Sequence, residues 1–277
     1  MTADHETGPN HHHESYTHGH HPSVLSSHEW RTVANSDAYL IPDLVPGLHV
    51  LDIGCGPGTI TVDLAQRVFP GHVTGVDAAE IVLEKARAHA RDAGVDNVDF
   101  VVGDTYALDA EDDTYDLVHI HQMLHHLSDP VEALGEARRV AKPAGLVAAR
   151  EVDYAGAIWY PLLPGLAKWA ALYQKVHRSH GGEPDAGRRL KSWAMDAGFS
   201  EVDSTASVWC FSSTADREFW GGMWEKRVLE SSFAVDAVDG GFATPADLTE
   251  ISVAWREWAD NPRAWLILPH GEVRCRA

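Results

Sequence analysis

Residues 50–61 read VLDIGCGPGTIT, an apolar run that breaks into Gly54, Gly56 and Gly58 and ends in hydroxyl side chains. A strand that ends in glycines and opens into a helix aims backbone N–H groups at a ligand lying on the helix N-terminus. Such a ligand is nucleotide-like, and the spacing narrows it further. A nicotinamide or flavin dinucleotide asks for G-x-G-x-x-G, whereas Thr59 stands where the third glycine belongs. A P-loop is excluded, because no Gly-Lys-Ser/Thr follows. Asp52, just before the turn, is a poor neighbour for a pyrophosphate. Further along, Asp77 and Asp104 close two other apolar runs, and His121, His125 and His126 follow a third. An imidazole placed there can take a proton from a nucleophile. The early histidines His11, His12, His13, His18, His20 and His21 can chelate a cation adventitiously, but a dedicated site needs ligands fixed by supporting groups. No metal is expected.

The elements that must position these residues alternate from 48 to 152. Strand candidates are HVLDI (49–53), HVTGVD (72–77), VDFVVG (98–103), YDLVHIH (115–121) and GLVAARE (145–151). Helical spacing fills 60–69, 79–94 and 130–140 between them. Short, nearly continuous apolar strands alternating with helices mean an α/β, doubly wound, parallel sheet covered on both faces. After 152 the rhythm changes, with helices expected at 161–179, 185–197, 214–233 and 244–259 and strands at 202–211 and 264–269. Nine of the ten Trp fall in this half, so it holds a second apolar core or lines a pocket. The division expected is a disordered His-rich arm (1–21), an N-terminal helical lid (22–47) and a main domain (48–277) with helical insertions at about 153–185 and 212–262.

DIGCGPG resembles the first motif of the class I S-adenosylmethionine-dependent methyltransferases, and three further motifs follow it in order. TGVD ends in Asp77, where the family places an acidic residue on both ribose hydroxyls. GDTYAL sets Asp104 against the adenine amino group, with the Thr105 backbone N–H on the ring. YDLVHIHQMLHHLSDP is similar to the segment beside the methyl donor, and ARRVAKPAGLV (137–147) to the turn feeding strand five. The HHLSDP wording leans toward the ubiquinone/menaquinone C-methyltransferase-like branch. This resemblance implies a Rossmann-like sheet of order 3-2-1-4-5-7-6 and S-adenosyl-L-methionine as cofactor. It implies a cofactor-binding set of Arg31, Asp52, Gly54, Cys55, Gly56, Gly58, Asp77, Ala78, Gly103, Asp104, Thr105 and His121. His125 and His126 are the candidate catalytic bases. Arg31 enters because related enzymes close an N-terminal arm over the donor, where a guanidinium can pair with its carboxylate. His121 enters through its backbone. The donor carries almost no net charge, so short hydrogen bonds suit it better than a phosphate clamp.

The chain departs from the plainest family pattern between strands six and seven, where about 50 residues replace a short hairpin. The acceptor expected from the aromatic insertions is small and apolar or aromatic. Two other classes share parts of this pattern: a donor-binding module without catalysis, and a nicotinamide-dependent oxidoreductase, which Thr59 disfavours. A net charge of −19 argues against nucleic acid or an anionic membrane as partner. No apolar run reaches membrane-spanning length and the start lacks a secretory pattern. Three cysteines without CxxC spacing fit a reducing compartment, so the expected location is cytoplasmic.

Overall fold

The computed structural model describes residues 30–277. The expected His-rich arm and the first part of the expected lid therefore lie outside the described residues. The described chain opens with a short helix α1 (Val33–Ser36) and a 3-10 turn (Ala38–Asp43) that carries Pro42 within it. The sequence reading stopped the helices before this proline. A proline is tolerated in so short a turn because few backbone N–H groups there have intrahelical partners. Both pieces are sewn to the main sheet layer, with Val33 and Leu40 fully buried beside Val50, Leu64 and Leu117.

Next come β1 (His49–Ile53), α2 (Thr59–Val68), β2 (His72–Asp77), α3 (Glu80–Ala93) and β3 (Val98–Val102). They are followed by β4 (Tyr115–His121), α4 (Pro130–Val140) and β5 (Ala141–Val152). The helices follow from their spacing: α3 buries Val82, Leu83, Ala86 and Ala90, and α4 buries Ala133, Leu134, Ala137 and Val140. Asp129 caps α4 by accepting from the Glu132 N–H at 2.9 Å, with Pro130 in the first turn. The last four residues of β1 are all buried, as a central parallel strand requires.

The second half contributes β6 (Ile158–Tyr160), α5 (Pro164–Ser179), α6 (Leu190–Asp196), β7 (Glu201–Phe211), α7 (Thr214–Glu230), α8 (Ser232–Asp239), α9 (Pro245–Asp260) and β8 (Trp265–Arg276). β1 to β5 are parallel, and β8 runs antiparallel between β5 and β7. The path β3-β2-β1-β4-β5-β8, with β7 beyond β8, is the expected 3-2-1-4-5-7-6 once the short β6 is set aside. β6 pairs with the first residues of β8 and had no signal in the sequence. The expected helix at 214–233 is two helices, broken at Ser231, which caps both. The last strand runs to Arg276, well past the expected Pro269, because both its edges are hydrogen-bonded for most of that length.

Of the two roles weighed from sequence, the structure shows the second apolar core. Trp169, Trp224, Trp255 and Trp258 are fully buried with Tyr173 and Phe233 in a core of their own between α5, α7, α8 and α9. Trp30, Tyr154 and Trp159 are half-buried around it.

Candidate active site

The glycine turn is built from three left-handed residues. Gly54, Gly56 and Gly58 have φ of +73°, +55° and +79°, conformations that side-chain-bearing residues rarely adopt. A Cβ on Gly54 would stand 2.5 Å from Met123 Cγ, and one on Gly58 would stand 2.7 Å from Ala86 Cβ. The turn is tied to the end of β2, since the N–H groups of Gly54 and Cys55 both donate to the Val76 carbonyl. Asp77 sits half-buried at that strand end, accepting from Gly56 N at 3.1 Å and from Ala79 N at 3.0 Å. The strand end and the turn thus form one shelf, as sequence spacing suggested. Ala78 is exposed beside it. The Cys55 side chain is buried against Phe100, and burial pushes its thiol pKa well up, so its backbone faces the turn while its sulfur belongs to the core.

Beyond β3, Gly103 packs closely on Val76 and donates to the Asp77 carbonyl at 3.2 Å. Asp104 is exposed and its carboxylate accepts from Tyr106 N. Next to it Thr105 Oγ1 is buried with no hydrogen-bond partner. An orphaned hydroxyl beside an exposed carboxylate suits the polar edge of a heterocycle. The glycine shelf, Asp77 and this corner therefore fit a nearly uncharged nucleoside-bearing donor.

Asp52 has a different environment. Its two oxygens are engaged inside the protein, one by the Thr61 hydroxyl at 2.6 Å and the other by His119 Nδ1 at 2.7 Å. His119 also faces Asp37 of the arm at 3.2 Å, and all three side chains are essentially inaccessible. Burial opposes charge on His119, but the Asp37 and Asp52 carboxylates outweigh it and raise its pKa to about 10. Burial likewise opposes charge on Asp37, yet His121 and His119 hold its carboxyl far below the ordinary range. His121 donates from Nδ1 to Asp37 at 3.2 Å, and here burial prevails, lowering its pKa to about 4. The arm is thus latched to β1 and β4 through a buried imidazolium. Neither Asp37 nor His119 stood out in the sequence. His119 shares a strand face with His121, and that alternation was the available signal.

Arg31 reaches the end of β4, donating from Nη2 to Gln122 Oε1 at 3.0 Å and lying 5.4 Å over the Trp209 ring. Gln122 adopts φ of +49° and donates through Nε2 to His270, whose own Nδ1 donates to the Leu268 carbonyl. His125 and His126 lie on a 3-10 turn (Leu124–His126) directly after β4. Glu151, fully buried at the end of β5, accepts from His125 Nδ1 at 2.6 Å and from the N–H groups of Met123 and Leu124. His177 of α5 donates from Nε2 to the His125 carbonyl at 2.7 Å. Glu151 and His177 escaped sequence reading, because nothing local ties either to the HH pair. The structure therefore gathers Gly54, Gly56, Gly58, Asp77, Ala78, Gly103, Asp104 and Thr105 on a shelf at β1–β3 and His125 and His126 in a corner at β4–β5, both at the carboxyl edge of the sheet. The side chains of Asp52 and His121 are held in the buried latch, and Arg31 lies on Gln122.

That edge, in a sheet of this order, is where open α/β sheets bind their ligands. The comparisons give the class directly. Residues 44–202 match the methyltransferase domain family. An uncharacterized methyltransferase of Schizosaccharomyces pombe is 34% identical over 269 residues, 93% of this chain and 95% of that protein. The demethylmenaquinone methyltransferase of Lactococcus lactis is 33% identical over 171 residues, 57% of this chain and 68% of the relative. The solved YcgJ protein of Bacillus subtilis superposes with a TM-score of 0.57 at 19% identity, over 86% of this chain and 96% of its own. The chain belongs to the methyltransferase domain family. It is a class I methyltransferase that uses S-adenosylmethionine, which leaves no place for the oxidoreductase alternative.

Proposed function

We propose that this methyltransferase acts on a small, apolar or aromatic acceptor held between the carboxyl edge of the sheet and the aromatic helical layer, in the cytoplasm. When bound, the donor supplies a methyl group already activated on a sulfonium centre. Asp77 accepts from its ribose hydroxyls, and Gly54, Gly56 and Gly58 let the backbone approach its methionine part, with Asp52 supporting the turn through Thr61 and His119. Gly103, Asp104 and the Thr105 N–H frame the base, while Cys55, Ala78 and His121 add backbone contacts. Arg31 pairs with the donor carboxylate at the end of β4. His125 and His126 activate the acceptor, and as bare imidazoles they take its proton where it has one to lose. Orientation in such a site supplies about 7–11 kcal/mol of the barrier reduction.

The observation that carries this reading is the shelf, with Gly56 N on Asp77 at 3.1 Å at the edge where open α/β sheets bind ligands. The acceptor class is supported by the half-buried Trp30, Tyr154 and Trp159 and by the name of the Lactococcus lactis relative. Three free cysteines support the reducing compartment, and no helix of the described residues is long and apolar enough to cross a membrane. Calorimetric titration with S-adenosylmethionine tests the shelf. Asp77→Ala should weaken binding by about 1.5–3 kcal/mol, the worth of hydrogen bonds to a charged group. Unchanged affinity in the folded variant would remove Asp77 from the site.

A further inference from the structure

We infer that His125, His126 and His177 together bind one divalent transition-metal cation, of the zinc, cobalt or nickel type, at the acceptor side of the site. The inference rests on the reading above for where the acceptor lies, and it replaces direct proton capture by His125 and His126 with activation of the acceptor by the cation they hold. One ring nitrogen from each of the three histidines lies within 4.8 Å of the other two. The rings are gathered closely, with centroids 3.8 Å apart for His125 and His126, 5.3 Å for His125 and His177, and 5.1 Å for His126 and His177. His125 and His177 are buried. Nitrogens around a tetrahedral ion at about 2.0–2.1 Å stand roughly 3.3 Å apart, so ligation needs the rings to turn, with the His125 and His126 pair opening from its 3.8 Å spacing.

The supporting groups set the tautomers. His125 gives its Nδ1 proton to the buried Glu151 carboxylate, which is itself held by two backbone N–H groups. His177 gives its Nε2 proton to the His125 carbonyl. In the tautomers so set, Nε2 of His125 and Nδ1 of His177 are the ligating atoms. Metal-binding imidazoles are oriented in this way, by a carboxylate or a backbone carbonyl on the far nitrogen. An all-imidazole set suits zinc, cobalt or nickel better than magnesium or calcium, which prefer oxygen.

Three protein ligands leave a fourth position open. An acceptor hydroxyl or thiol can fill it, and the cation then lowers that group's pKa as it does that of bound water. The substrate class is thereby narrowed to acceptors with an ionisable heteroatom. Nothing local in the sequence ties the three together, since His177 sits alone on a helix, far from the His125 and His126 pair.

The test is a cobalt titration of the full-length, chelator-stripped protein. The wild type should develop the intense visible absorption of four- or five-coordinate Co²⁺, saturating at one equivalent. His177→Ala and His126→Ala should lose that band, and Glu151→Gln should weaken cobalt binding by about 10–100-fold. The N-terminal histidines are present in the wild type and in every variant alike, so the difference between them reports the cluster. If His177→Ala does not fold, the half-buried His126→Ala still decides the matter, with its S-adenosylmethionine affinity as the folding control. A wild type without the intense band, or variants that retain it, would overturn the inference. Failure of the wild type to bind S-adenosylmethionine would instead strike the reading of the donor shelf.

Discussion

His119 is the residue whose surroundings leave the least freedom, with a carboxylate on each side and no access to water. As an imidazolium it neutralises part of the buried charge of Asp37 and Asp52. Removing it leaves both carboxylates buried without a counter-ion, a change that typically costs about 3–5 kcal/mol. The pH dependence follows from the shifted values. His119 titrates near 10 when folded and near 6.5 when unfolded, so its contribution is complete below 6.5 and is lost as pH rises toward 10. His121 titrates near 4 when folded, so below 6.5 the unfolded chain takes up a proton that the folded one refuses until about 4. Asp37, held low, adds a further loss only below its ordinary value of 3.8. Stability measured by urea unfolding should therefore peak near pH 6.5, with the alkaline limb falling by up to about 1.4 kcal/mol per pH unit and the acid limb more steeply, because burial holds His177 and His270 neutral as it does His121. His119→Gln should flatten the alkaline limb and keep an acid one. An alkaline limb unchanged in that variant would remove the imidazolium from this role.

At the scale of elements, the stretch 30–47 is a stitched part of the fold rather than a loose cover. Val33 N donates to Asp63 on α2, the Trp209 indole N–H donates to the Asn35 carbonyl, and Trp30 packs on Trp209, Phe211 and Phe219. Arg31 stands at the tip of this stretch, at the end of β4. Its loss should weaken donor binding by about tenfold, the low end for a charged hydrogen-bonded contact. Melting temperature should change little, because α1 and the buried Val33 and Leu40 remain. Arg31→Ala with unaltered donor affinity in calorimetry would return that side chain to a purely local role with Gln122.

The elements from β1 to β5 were legible because each strand is a short apolar run and each helix keeps its buried face at helical spacing. The glycine turn was legible because its φ values admit almost nothing else. β6 was not, since three residues with exposed Ile158 and Tyr160 carry no alternation. The length of β8 was hidden by Pro269, Gly271 and charged Glu272, Arg274 and Arg276, which read as a tail until β5 and β7 are seen on either side. The histidine corner was half legible. His125 and His126 are adjacent in sequence, while Glu151 and His177 join them only through the packing of β5 and α5.

The described residues combine apolar clusters along the sheet with one under the aromatic helical layer. The donor shelf belongs to the first, and Trp255, fully buried, to the second. Trp255→Ala should cost about 3–5 kcal/mol of stability. Donor affinity at a temperature where the variant is folded should stay as it is. Parallel loss of donor binding would mean that the helical layer shapes the shelf itself. A net charge of −19 repels phosphate backbones.

The central claim is that the carboxyl edge of this sheet both binds S-adenosylmethionine and transfers its methyl group to a small acceptor. It is tested most directly by incubating the protein with methyl-labelled donor and a panel of apolar and aromatic acceptors, reading product mass and S-adenosylhomocysteine together. The account predicts a labelled product from at least one acceptor, formed in equal amount with S-adenosylhomocysteine and sharply reduced by Asp77→Ala and by His125→Ala. Tight donor binding with no labelled product from any acceptor would contradict it and leave a donor-binding module in place of an enzyme.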